Sequence, residues 1–145
     1  MDTRQINETY AQIAADLIKT EDALKYIAES GVTIVYLSSE HEKKQDGKVV
    51  FGQCEKIKEK YKWAIPADFT ITLFEPNVHG LTDEQIRTVL FHELLHVGIK
   101  PDGDDRFFCV PHDVEDFRLI IDRYGLDWAK PKDVFDLDVS DIKDI

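Results

Sequence analysis

The chain has 145 residues, the size of about one domain, with 43% hydrophobic and 32% charged residues. Two Trp, five Tyr and eight Phe are enough to fill a core, which excludes a disordered chain, and no run approaches the roughly 18 apolar residues of a membrane-spanning helix. The net charge of −11, from 29 acids against 18 bases, repels a phosphate backbone and disfavours nucleic acid as a partner.

Smaller signals agree. Lys56, Lys58, Lys60 and Lys62 read as a solvated polar face rather than a nucleic-acid patch. Cys54 and Cys109 fit a reducing compartment and read as two half-buried thiols, not a bridge. The opening residues MDTRQINETY contain no apolar export segment, so the expected address is cytoplasmic.

The N-terminal part predicts helices over about residues 4–30. Tyr10, Ile13, Ala14, Leu17 and Ile18 recur at helical spacing, as do Ala23, Leu24 and Ile27, and Gly31 is a stop signal. Strands follow at 32–37, 48–54 and 68–74, with Asp46-Gly47 as the turn between the first two. In the third, Phe69, Ile71 and Leu73 share one face. The next helix is predicted over 82–97. Thr82 and Gln85 form a capping box, Leu81 and Ile86 a hydrophobic staple, and Gly98 is placed as the C-terminal cap. Pro101-Asp-Gly-Asp-Asp105 lacks calcium-loop spacing and reads as a turn, and Arg106–Val110 as extended. A last helix is expected from Pro111 or His112 to Tyr124, stopped by Gly125, with Phe117, Ile120, Ile121 and Tyr124 as its apolar stripe. Residues 1–130 thus read as a single domain and 131–145 as an acidic tail.

The chemistry lies in His92-Glu93-Leu94-Leu95-His96, an H-E-x-x-H motif. Residues i and i+4 of a helix lie about 40° apart around its axis, so His92 and His96 can grip one metal ion, and Zn²⁺ suits imidazole nitrogen. Glu93 can reach water at the metal and is the candidate general base for hydrolysis of a peptide bond. Ile86, Leu90, Leu94 and Val97 form an apolar face, with Phe91 and Leu95 beside it, and predict a largely buried helix carrying two buried histidines.

A catalytic zinc takes three protein ligands. His112, Glu115 and Asp116 are the downstream candidates and would share one face of the last helix by their i, i+3, i+4 spacing. Any of them can complete the site, with the others orienting it. Tyr61, His79, Arg123 and Tyr124 are candidate donors to a developing oxyanion, though His79, like His41, reads first as a surface histidine. Residues 68–74 are the candidate edge strand on which an extended peptide would dock, or else an ordinary inner strand.

HELLHVG followed by PHDVEDFRLIIDRYG resembles the phage and prophage metallopeptidases, small zincin-like proteins. The resemblance extends upstream through Gly47-Lys-Val-Val-Phe-Gly52, Tyr61-Lys-Trp63 and Asp68-Phe-Thr-Ile71, from about Tyr36 to Trp128. The chain is similar, more distantly, to SprT-like proteases, in which a third histidine opens a helix with an aromatic a few residues on. His112 and Phe117 match that pattern, so the resemblance favours His112 as third ligand over Glu115, the thermolysin-like choice. The chain lacks the C-terminal Cys-rich zinc ribbon of the SprT-like set.

These readings give one α+β zincin-like domain, with a small, mostly antiparallel sheet packed on the H-E-x-x-H helix. The expected function is zinc-dependent hydrolysis of a peptide or protein substrate, in the host cytoplasm if phage-encoded. The alternative is a zinc-binding but non-catalytic regulatory or interaction protein of a mobile element. A closed four-ligand site would mark that alternative, with Cys109 near enough in sequence to be the fourth ligand.

Overall fold

Phe69, Ile71 and Leu73 alternate along the strand on which the rest of the fold is laid. A computed structural model of the protein describes residues 3–103, 106–113 and 117–125. The chain divides into two compact units, Met1–Pro111 and His112–Ile145.

The first unit begins with strand β1 (Arg4–Ile6), helix α1 (Glu8–Thr20), a 3-10 turn (Asp22–Leu24) and helix α2 (Lys25–Ser30). The N-terminal region is therefore not helical from residue 4. Arg4–Ile6 pair antiparallel with Leu37–Ser39, a partner that local periodicity does not reveal. Asn7 caps α1 by accepting from the Tyr10 N–H, and Gly31 ends α2 at φ +73.

Strand β2 (Ile34–Ser39) leads to a hairpin of β3 (Lys44–Gln45) and β4 (Lys48–Val49). Asp46 and Gly47 both have positive φ in its two-residue turn, as the right-handed twist of such hairpins favours. The strand expected over 48–54 is split, because the chain changes partners at Val50 and Phe51. Lys48–Val49 pair back on β3, while β5 (Gly52–Lys56) pairs with β6 (Phe69–Phe74). Asn77 holds the changeover, its Nδ2 donating to the carbonyls of Lys43 and Val50 at 2.8 and 2.7 Å.

The main sheet runs β1-β2-β6-β5. Its β1–β2 and β6–β5 pairs are antiparallel and β2–β6 is parallel. Residues 68–74 therefore do not form an edge. Strand β6 has a partner on each side and is buried on both faces, and the edges are β1 and β5. Phe69, Ile71 and Leu73 join Tyr10, Ala14 and Leu17 of α1 and Leu90, Leu94 and Val97 in one core cluster. On the opposite face, Thr72 accepts from Arg4, and the Arg4 and Lys43 cations lie 5.9 and 5.5 Å from the Phe74 ring centre.

After the short helix α3 (Glu75–Val78) comes α4 (Asp83–Leu95), then strands β7 (Val97–Ile99) and β8 (Phe107–Cys109), which pair antiparallel. Both halves of the Thr82–Gln85 capping box are present. Helix α4 ends at His96, not at Gly98, which lies in β7. Gly98 serves close approach instead of capping. A Cβ there would stand 2.6 Å from the Phe108 ring and 2.7 Å from the Phe108 carbonyl oxygen. Residues 101–103 bend, with Gly103 at φ +106. The remainder of the predicted turn, 104–105, lies outside the described residues.

In the second unit, helix α5 (Arg118–Tyr124) starts later than expected. Phe117 is its extended N-cap residue, and the Gly125 N–H closes it onto the Ile121 carbonyl. The acidic tail lies outside the described residues. Among the described residues, no helix is long and apolar enough to cross a membrane.

Gly98→Ala should cost about 2 kcal/mol or more, because the Phe108 backbone cannot rotate away as a side chain does. Denaturant melts would measure this, and adding Phe108→Ala should restore only part of the loss.

Candidate metal centre

Helix α4 presents the motif by anchoring its opposite face. Leu90 and Leu94 are fully buried, and α4 packs against β5, β6 and α1. His92 and Glu93 occupy the last turn, and His96 caps the helix. The helix is less deeply set than its composition predicts: His92 and Leu95 are exposed and His96 is half-buried. Only Glu93 of the three is buried, at 6% exposure. Metal-binding imidazoles need an open side, so the exposure of His92 suits a ligand.

The two rings stand edge to face at 73°, centroids 5.1 Å apart. One ligating nitrogen of each lies within 4.8 Å of the other. His96 is held twice by Val110. The Val110 N–H donates to the His96 carbonyl at 2.7 Å, and the His96 Nδ1 lies 2.6 Å from the Val110 carbonyl oxygen. A carbonyl can only accept, so Nδ1 carries the proton and Nε2 keeps its lone pair for a metal. Tyr26 donates its hydroxyl to the Val97 carbonyl at 2.6 Å, tying the chain just past His96 to α2. Two imidazoles, one with its Nδ1–H directed at a carbonyl so that Nε2 faces outward, are a donor set that fits zinc. His92, Glu93 and His96 form a cluster capable of holding the ion.

Burial pushes the Glu93 carboxyl up to about 7, and the neighbouring His96 opposes that rise. Burial also pushes up the Cys54 thiol, with Cys109 and Glu93 nearby adding to the effect. Both cysteines are free thiols, Cys54 half-buried and Cys109 exposed rather than half-buried. Cys109 Sγ donates to the Cys54 carbonyl at 3.8 Å, and the metal-capable group that includes His92 and His96 contains no cysteine.

His112 is the first residue of the second unit, exposed and ahead of α5. His112 is not in a helix, and Glu115 and Asp116 lie outside the described residues. Arg118 is the first residue of α5. Among the oxyanion candidates, Tyr61 lies exposed in the 3-10 turn Glu59–Tyr61, and His79 is exposed at the end of α3. Arg123 and Tyr124 are exposed on α5. The Val110 carbonyl has no signature in the sequence, because a backbone acceptor leaves no mark on residue type.

The family model described as Putative phage metallopeptidase matches residues 4–136. The chain belongs to this phage metallopeptidase family. No curated protein matches it, and no solved structure does. The activity of this metallopeptidase is zinc-dependent and runs through the H-E-x-x-H motif of α4.

Without metal, the folded protein should hold a proton on Glu93 that the unfolded chain releases above the ordinary value of 4.5. Stability should therefore fall as pH rises from about 4.5 to about 7, by about 3 kcal/mol more in the parent than in Glu93→Gln. Denaturant melts of the two metal-free proteins across that range would measure the difference.

Proposed function

We propose that this metallopeptidase holds zinc with His92, His96 and His112 and cleaves peptide or protein substrates with Glu93 as general base. The observation that carries the reading is the His92–His96 pair, with its tautomer lock, beside a buried carboxylate. His112 is supported by chain reach. It follows Val110, whose carbonyl meets the His96 ring, by two residues, and two residues span at most roughly 7 Å. Glu115 is the alternative third ligand.

Zinc, when bound, supplies a Lewis acid that polarises the substrate carbonyl and acidifies water. Glu93 takes the proton from the attacking water and delivers it to the departing amine. Burial raises the Glu93 carboxyl in the metal-free protein, and a bound divalent ion would oppose that rise and favour the ionised base. The edge of the main sheet nearest α4 is β5; it packs against β8 without pairing with it, and an extended substrate would add along the part of that edge that β8 leaves open.

Elemental analysis of the parent, His112→Ala and Glu115→Ala, purified alike, should find about one zinc per chain, lost with His112→Ala and kept in Glu115→Ala. The converse pattern would move the third ligand to Glu115. Glu93→Gln should keep its zinc while turnover of a peptide library falls by about 10²–10⁴-fold. Undiminished turnover would remove Glu93 from the role.

A further inference from the structure

Gly52 opens β5 where the edge strand meets α4. A Cβ built on it would stand 3.1 Å from Cγ and 3.2 Å from Oε2 of Glu93, and 3.3 Å from the Thr72 carbonyl oxygen. All three are tighter than ordinary van der Waals contact. Gly52 is not among the residues with positive φ, so its backbone conformation is open to any residue. Space is what excludes a side chain here, and two of the three crowding atoms belong to Glu93.

We infer that Gly52 is a positioning residue for Glu93: the bare strand leaves a slot in which the carboxylate lies against the substrate-side edge of the sheet. This rests on Glu93 being the general base. The walls of the slot are rigid. On one side is β5, hydrogen-bonded to β6, and on the other is α4, fixed by Leu90 and Leu94. A methyl group at position 52 must therefore displace the side chain with torsional freedom, which is Glu93. A general base works within about 2.6–3.2 Å of the proton it takes, so a shift of tenths of an ångström is felt in the chemical step.

Two measurements test this. In metal-free protein, Gly52→Ala should lower Tm by about 5 °C in the parent and in Glu93→Gln, which keeps the side chain's shape. In Glu93→Ala, where the crowding atoms are gone, the same substitution should have little effect or stabilise slightly. An equal loss in all three backgrounds would overturn the inference and assign the crowding to the Thr72 carbonyl. In zinc-loaded enzyme, Gly52→Ala should lower kcat about ten-fold, and Gly52→Val further, with KM and zinc content within about two-fold of the parent. A raised KM with kcat intact would overturn it and make Gly52 a place where the peptide backbone approaches. Full turnover by Glu93→Gln would remove both the general base and its positioning residue. An inactive Glu93→Gln beside a fully active Gly52→Ala would remove the positioning role alone.

Discussion

The contact between Val110 and His96 is the constraint on which the metal centre depends. Its ring half decides which nitrogen of His96 is basic, and its backbone half sets the distance of the returning chain from the helix end. That geometry is delivered by the β7–β8 pair, in which Val97 faces Cys109 and Gly98 faces Phe108. The pair closes only because position 98 carries no side chain. A glycine without chemistry thus sits upstream of an imidazole tautomer, and the order of dependence runs from strand packing to ligand basicity.

Glu93 stands in a different balance. A carboxylate taken out of water is costly, and the fold accepts that cost in the middle of its motif. The core beneath α4 is ordinary: leucines on α4, alternating apolar residues on β6 and the small Ala14 of α1. Packing fixes the helix, and the helix fixes the carboxylate. The rise of its carboxyl in the metal-free protein is a by-product of where those leucines force the helix to lie. Stability and reactivity are opposed at this one residue, as is usual for groups that move protons.

The parts of this architecture legible in the sequence are those governed by nearest neighbours along the chain. The capping box of α4, the αL stop at Gly31, the Asp46-Gly47 turn and the paired histidines each involve residues within four positions of one another. Where the structure departed from expectation, the cause was a distant partner. Arg4–Ile6 became a strand because β2 offered an edge. The run 48–54 broke because two different strands claimed its halves. Gly98 resembled a helix cap because a glycine after an apolar helix usually is one, and the Phe108 backbone that actually demands it is ten residues away. Strand β6 was recognised from its alternation, but whether it lay inside the sheet or at its rim depended on β5, whose pairing has no local signature. The histidine pair was visible as a motif; the carbonyl that orients half of it was not.

The parallel pairing of β2 with β6 has a consequence for the order in which the molecule assembles. Thr33 and Asp68, which close one end of that pair, are 35 positions apart. Hairpins such as β3–β4 can zip from their own turns, but β2 and β6 meet only after a long loop has closed against its entropy. Helix α4 follows β6 in the chain and packs on the surface that this meeting creates. A nascent chain therefore carries the strands of the platform before it carries its two histidines, and helix α4 finds its seat only once β2 and β6 have met.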